Sequence, residues 1–293
     1  MNATRTDSAA AGKAQSLVAN VSDTARWAAA NRASESARED ALFHDPFAAW
    51  LAGERGAAIA AKAPWRTRNG WPVAARTKAI DDLIADSLAE GCDRVLCLAA
   101  GLDARPYRLE LPESLVWIEA DLPALVEEKN AALAHETPRC RVTRQAVDLA
   151  DPAARAAFLD DALVGAKRAL VIAEGLLMYL TQEVVLSIAK ELARSSVRYW
   201  IFDILSPAIR ETVTGETRMG MANAPFLFAP SDGVAYFEAI GWRAKDIRSI
   251  FDEAHRLGRL PWLLHILGSL PLPRPDPRRP ARAPWSAVVR LCQ

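Results

Sequence analysis

From Asp93 onward, short apolar runs alternate with stretches of helical character. The runs are RVLCLAA (94–100), LVWIEA (115–120), CRVTRQAV (140–147), ALVIAEG (169–175) and VRYWIFDIL (197–205), and helix candidates lie between them at 122–134, 151–162 and 181–195. Apolar runs of this length, separated by helices, are the pattern of parallel strands that crossover helices bury on both faces. The pattern predicts an open α/β sheet, mostly parallel. The strand-like tail SAVVRLCQ, arriving after the last helix candidate, predicts one more strand at the C-terminus.

Ahead of the first strand the pattern differs. SDTARWAAANRASESAREDALFHDPFAAWLAG (22–53) predicts two helices broken near His44-Asp45-Pro46, where proline disfavours helical geometry in the residue before it. A third helix is predicted over 74–89. Residues 21–91 therefore read as a helical cap outside the sheet, and the small, polar residues 1–20 as a loose tail. After Ser206 the periodicity weakens through Met219, Met221 and Phe226-Leu227-Phe228, which marks 206–232 as a lid insertion over the sheet. A helix at 231–240 then leads into GWRAKDIRSI. The segment 267–284 is too proline-rich for helix or sheet and reads, four arginines included, as a solvated connection. No internal repeat is visible, and residues 92–293 are expected to form one unit with the cap.

Composition narrows the function. The chain has 293 residues, 51% of them hydrophobic and 25% charged, which excludes a disordered chain or a rod. Lys and Arg total 36 against 36 Asp and Glu, so the attraction that drives binding to nucleic acid or an anionic membrane is lacking. A small-molecule partner is expected. Cys92, Cys97, Cys140 and Cys292 are scattered without C-x-x-C or histidines at ligand spacing, so they read as reduced, mostly buried thiols, with no metal. No stretch has the apolar core of a signal peptide or the length of a membrane span, and a cytoplasmic protein is expected.

The candidate chemistry gathers at strand ends. In Val95-Leu96-Cys97-Leu98-Ala99-Ala100-Gly101-Leu102-Asp103 an apolar strand runs into small residues, where a ligand can approach the main chain. Twenty residues past Gly101 stands Asp121, followed by Leu122, placed to accept hydrogen bonds from a ribose diol. A tight turn and a helix-capping aspartate account for either half alone, less readily for the spacing of both. A dinucleotide needs G-x-G-x-x-G, whereas residues 99–104 carry one glycine and Asp103, which repels phosphate. An uncharged sugar linked to a cationic centre fits better, which describes S-adenosylmethionine. After the third strand, Asp148 and Leu149 offer a carboxylate to an exocyclic amine and an apolar face to adenine, or simply begin a helix. Glu174, directly after ALVIA, belongs at a crevice rather than in a core.

Taken together, these pieces resemble the leucine carboxyl methyltransferase-like family of class I S-adenosylmethionine-dependent O-methyltransferases. The resemblance rests on Thr24-Ala25, Arg32-Ala33, Leu42-Phe43-His44-Asp45-Pro46, Arg76-Thr77, Ile80-Asp81, Ala100-Gly101-Leu102-Asp103 with Arg105 and Tyr107-Arg108, Glu119-Ala120-Asp121-Leu122-Pro123, and Ala173-Glu174-Gly175-Leu176-Leu177-Met178-Tyr179-Leu180. It implies a Rossmann-like sheet closed by an antiparallel strand. It also implies that Arg76 meets the methionine carboxylate, that Gly101 lies under the methionine part and that Asp121 holds the ribose, with Ala99 and Leu122 also among the cofactor-binding residues. Asp148 and Leu149 would frame the adenine, Glu174 would line the site near the amino group, and Tyr179 would sit close to the acceptor. The family usually has glycine where this chain has Ala99.

The implied reaction is methyl transfer to a carboxylate or hydroxyl oxygen of a small metabolite. A carboxylate acceptor needs no general base and would want a cation, for which Arg76 is the candidate, while a hydroxyl would need a base such as Tyr179. Trp27, Met221, Phe226 and Phe228 are candidates for an acceptor pocket, though each also reads as ordinary core. Two alternatives stay open: a nicotinamide-dependent oxidoreductase and a non-catalytic cofactor-binding protein. An antiparallel hairpin at the end of the sheet discriminates the first. Acceptor identity and oligomeric state are not encoded in any motif.

Overall fold

The computed structural model describes residues 21–64, 67, 69–216, 224–279 and 283–293. The N-terminal tail expected over 1–20, and Met219 and Met221 of the insertion, lie outside the described residues. Three helices come first, α1 (Val21–Ser36), α2 (Ala48–Ala61) and α3 (Trp71–Ala89). An alternating series follows: β1 (Arg94–Leu98), α4 (Arg105–Arg108), β2 (Val116–Asp121), α5 (Pro123–Ala132), β3 (Arg141–Ala146), α6 (Pro152–Ala162), β4 (Ala169–Ala173), α7 (Gln182–Glu191) and β5 (Val197–Leu205). The chain ends with α8 (Pro207–Glu216), α9 (Ala235–Glu238), β6 (Arg243–Ser249), α10 (Ile250–Arg256), α11 (Trp262–Ser269) and β7 (Ser286–Cys292).

The strands form one sheet in the order β3-β2-β1-β4-β5-β7-β6. Pairs from β3 to β5 are parallel, while β7 lies antiparallel between β5 and β6. The C-terminal hairpin expected of a methyltransferase sheet is therefore present. Adjacent residues of each strand go to opposite faces, as the two-residue period demands. Leu96, Leu98, Ile118, Val171 and Trp200 pack under α6 and α7 on one face. Val95, Cys97, Trp117, Leu170 and Ile172 pack on the other against Ile80, Leu83 and Ile84 of α3 and Ile250 of α10. Both faces being dry over β1, β2, β4 and β5, these strands read as continuous apolar runs, whereas the edge strands β3 and β6 are largely polar.

α3 differs from the expected cap. It starts at Trp71, with proline in its first turn, and its inner face buries against the sheet, because a helix of this length with apolar residues three and four apart covers one side of several strands. The cap proper is the α1–α2 pair. Their crossing is tight enough that a Cβ at Gly56 would lie 2.6 Å from the Arg26 carbonyl oxygen. Ala29, Ala30, Leu51 and Ala52 of this pair pack on Leu102, Ala104 and Tyr107, so the cap seats on the segment that leaves β1. Only 235–238 of the expected helix at 231–240 is helical. Of the proline-rich segment, 267–269 belongs to α11.

Candidate functional site

β1 runs out at the middle of the sheet, where its neighbours β2 and β4 lead the chain off in different directions, and an open α/β sheet takes its ligands at such a switch point. There Ala99 has φ +53° and Gly101 φ +48°. Left-handed geometry is free for glycine, but it costs an alanine about 1 kcal/mol. The Gly101 N–H donates to Asp121 Oδ2 at 2.6 Å, and the Leu122 N–H donates to Asp121 Oδ1 at 2.7 Å. Two main-chain donors thus aim a buried carboxylate at the end of β2. Burial outweighs those donors and raises the Asp121 pKa. A side chain on Gly101 would meet Ala25 of α1 at 3.1 Å, so the cap stands directly over this turn.

Next to the turn lies a dense ionic cluster. Glu174, just past β4, accepts from Arg76 Nε at 2.9 Å and from Arg105 Nη1 at 2.7 Å. Arg76 also donates to Asp203 Oδ2 at 2.9 Å, and Asp203 Oδ1 accepts the Gly175 N–H at 2.6 Å. Arg105 is 2% exposed and reaches Asp81 and Asp103 as well. Asp81 in turn holds Arg108, and Asp45 holds Arg32, whose Nη2 donates to the Leu102 carbonyl. Burial works against the charge of Glu174, yet Arg105 and Arg76 prevail and hold its carboxyl at about 2. Burial likewise opposes the charge of Arg76, and Asp203 with Glu174 overcomes it and raises the guanidinium pKa. The cluster counts four guanidiniums, Arg32, Arg76, Arg105 and Arg108, against five carboxylates, Asp45, Asp81, Asp103, Glu174 and Asp203, so its balance is negative.

The expected site residues other than Arg76, which stands on α3, lie at or just past the carboxyl ends of β1 to β4. Leu122 is 43% exposed, unusual for a large apolar residue at a strand end. Asp148 is exposed and accepts the Ala150 N–H, while Leu149 is buried in the sheet core. Tyr179 sits in a short 3-10 turn, Leu177–Tyr179, after β4. Its ring meets Phe226 edge-on at 5.3 Å and packs with Trp27 of α1, Ile59 of α2 and Ala224. The cap and the segment after α8 thus meet over Tyr179. Burial raises its hydroxyl pKa, opposed by a hydrogen bond with Thr24 and by Arg76. Phe228, also expected over the pocket, instead enters the sheet core beside Phe237.

Three site features escape a reading by strand ends. Asp203 is a carboxylate within an apolar run, the signal that singled out Glu174. Arg105 and Asp81 pair across 24 residues of sequence, which no local pattern marks. Asp103 is occupied by Arg105 and is held well below the ordinary carboxylate range, burial being outweighed by Arg105 and Arg32. It is therefore not the free charge that would turn a phosphate away. That task falls to Asp121 and the negative balance. The four histidines lie elsewhere: His44, His135 and His265 are exposed, and His255 stacks on His265 at 4.5 Å. Among the described residues no His, Cys, Asp and Glu group could hold a metal ion, and no helix is long and apolar enough to cross a membrane.

A sequence profile of the family described as leucine carboxyl methyltransferase matches residues 25–193. A Frankia alni protein with the provisional name S-adenosyl-L-methionine-dependent methyltransferase is 31% identical over 80% of this chain and 87% of its own. A Streptomyces coelicolor protein of the same provisional name is 33% identical over 75% and 82%. Among solved structures, a DUF574 family protein of Streptomyces avermitilis superposes with a TM-score of 0.52 at 16% identity, over 90% of this chain and 96% of that one.

Proposed function

The chain belongs to the leucine carboxyl methyltransferase family and is an S-adenosylmethionine-dependent methyltransferase; on that premise we propose that it methylates a carboxylate oxygen of a small metabolite. The observation that carries the cofactor part of this reading is the Glu174 cluster beside the Asp121-bearing turn, and the choice of acceptor rests on Tyr179. A negative balance suits a ligand with a sulfonium, an ammonium and one carboxylate, and disfavours a pyrophosphate.

The residues fit that cofactor. Asp121, oriented by two main-chain N–H groups, is an acceptor pair for ribose hydroxyls. Exposed Leu122 supplies an apolar surface for adenine, and Asp148 an acceptor for its amino group. Glu174 complements the ammonium, and Arg76 complements the carboxylate, two of its nitrogens being fixed already by Glu174 and Asp203. When bound, S-adenosylmethionine supplies a methyl group that its sulfonium has made electrophilic. The protein's share is alignment and exclusion of water, and the cap meeting the Phe226 segment over Tyr179 serves both. Tyr179 is a protonated phenol at neutral pH, and burial moves its pKa further up, so it serves the acceptor as a hydrogen-bond donor rather than as a base. That favours an acceptor already ionised, a carboxylate.

The test is calorimetric titration with S-adenosylmethionine, S-adenosylhomocysteine and NADH, on the wild type and on Asp121→Ala, followed by transfer of labelled methyl to panels of carboxylic acids and phenols. Binding of both adenosyl ligands, lost in the variant and absent for NADH, supports the cofactor assignment. Product label released by mild base marks an ester, whereas base-stable label marks an ether and refutes the carboxylate reading.

A further inference from the structure

Away from the site, α11 carries an apolar stripe that points outward. At about 100° per residue, Trp262, Leu263, Ile266 and Leu267 span an arc of roughly 140°, and they are 70%, 48%, 55% and 44% exposed. The opposite side holds the helix in place. Gly268 is its one buried residue, and a Cβ there would lie 2.4 Å from the His255 ring, while Leu264 packs on the α3 side of the sheet core. The loop into α11 is anchored too: Arg259 bonds Glu35 at 2.9 Å, and its carbonyl accepts from Asn69 at 3.0 Å. The stripe is thus presented on a fixed helix, the reverse of the usual amphipathic arrangement. Leu270 and Leu272, 47% and 50% exposed, extend it.

We propose that this stripe is the seat of a second copy of the chain, joined across a two-fold axis. Area is the first argument. At about 200 Å² for each large apolar side chain, the six exposures come to roughly 600 Å² per copy, the upper limit of what a monomer leaves bare. Two copies would bury roughly 1,200 Å², within the range of specific interfaces. Charge is the second. The arginines described on α10 and just after α11 are paired locally, Arg256 with Glu253 at 2.6 Å and Arg274 with Asp252 at 3.3 Å. A rim with no net sign draws neither an anionic membrane nor a charged partner, and it lets the same surface meet itself without repulsion. Self-complementarity is what a two-fold contact requires.

Sedimentation velocity of the full chain decides the matter. The wild type is expected at twice 31.9 kDa at micromolar concentration, and the double variant Leu263→Asp, Ile266→Asp at the monomer mass with an unchanged circular dichroism spectrum. Val164→Asp, at a site 70% exposed elsewhere, is the control and should leave the dimer intact. Should the double variant misfold, Ile266→Cys keeps the test open. The native cysteines are buried, so oxidation is expected to cross-link Ile266→Cys and not Val164→Cys. A monomeric wild type, a dimer indifferent to the double substitution, or a wild-type monomer that instead floats with phosphatidylcholine vesicles would each overturn the proposal.

Discussion

α3 touches two ionic clusters, one towards each end, and they are built differently. Near its C-terminus Glu90 meets Tyr199 of β5, Lys245 of β6 and Arg290 of β7, with Asp246 completing the group. Nearly every member sits on a strand or helix, and Glu90 and Lys245 are about one-third exposed. Near its N-terminus Arg76 and Asp81 join a cluster drawn from the turns after β1 and β4, from Asp203 of β5 and from the loop between α1 and α2. There Arg105 and Arg108 are withdrawn almost wholly from water. Withdrawing that much charge costs several kcal/mol per ion before pairing offsets it. The Arg290 group shows that helix and strands can be tied with partly wet pairs. The drier cluster, at the switch point and under the cap, is the one that the proposed function sets against the cofactor.

The largest effect that would sharpen this contrast is expected from Arg105→Ala. Removing the cation common to Asp81, Asp103 and Glu174 leaves buried carboxylates unpaired, so stability should fall by about 3–5 kcal/mol. Urea denaturation measures it, and a loss under 1 kcal/mol would contradict the keystone role. Next come Glu174→Gln and Arg290→Met as a matched pair. The first should weaken S-adenosylhomocysteine binding by roughly 30-fold, about 2 kcal/mol, and should also lower the melting temperature, because Arg76 and Arg105 lose a buried partner. The second should lower stability by about 1–3 kcal/mol and leave affinity alone. Equal affinity losses in calorimetry would erase the distinction between the clusters.

Acid provides a third probe. Glu174 and Glu90 both titrate at about 2 in the fold against 4.5 unfolded. A lowered carboxylate stabilises the fold above its unfolded pKa, and that stability drains away as pH falls from about 5 towards 2. Asp121 runs the other way, its raised pKa opposing the trend slightly. Stability followed from pH 7 to 3 should therefore decline, and Glu174→Gln should flatten the decline. An unchanged slope would mean that Glu174 is not held by its arginines in solution. The smallest effect is expected from Ala99→Gly, which relieves the left-handed alanine and should stabilise by about 1 kcal/mol or less. A destabilised Ala99→Gly protein would show that the methyl packs usefully.

Much of the fold can be read along the chain. Strands β1, β2, β4 and β5 announce themselves as continuous apolar runs because the sheet is dry on both faces there, while β3, an edge strand, is mostly polar and half wet. β6 does not announce itself: it is an edge strand, half wet, with a register shift between Ala244 and Asp246 that breaks any regular alternation. α10 and α11 are also silent, since α11 turns its apolar residues outward and so defeats the rule that apolar means buried. In the site, Asp121 and Glu174 are legible as carboxylates in the wrong company at strand ends.

The sequence alone determined the alternation of strand and helix, the small-residue turn after β1 and the carboxylates that follow each strand, because these depend on neighbours a few residues away. It determined the family resemblance for the same reason, through short motifs in order. Only the tertiary structure decided which charges meet. Arg76 finds Glu174 and Asp203 across 98 and 127 residues, and Arg105 claims the Asp103 that reads as free. Such pairings follow from how layers stack and where the cap seats. Electrostatic energy depends on distance and burial, and neither is written in the order of residues.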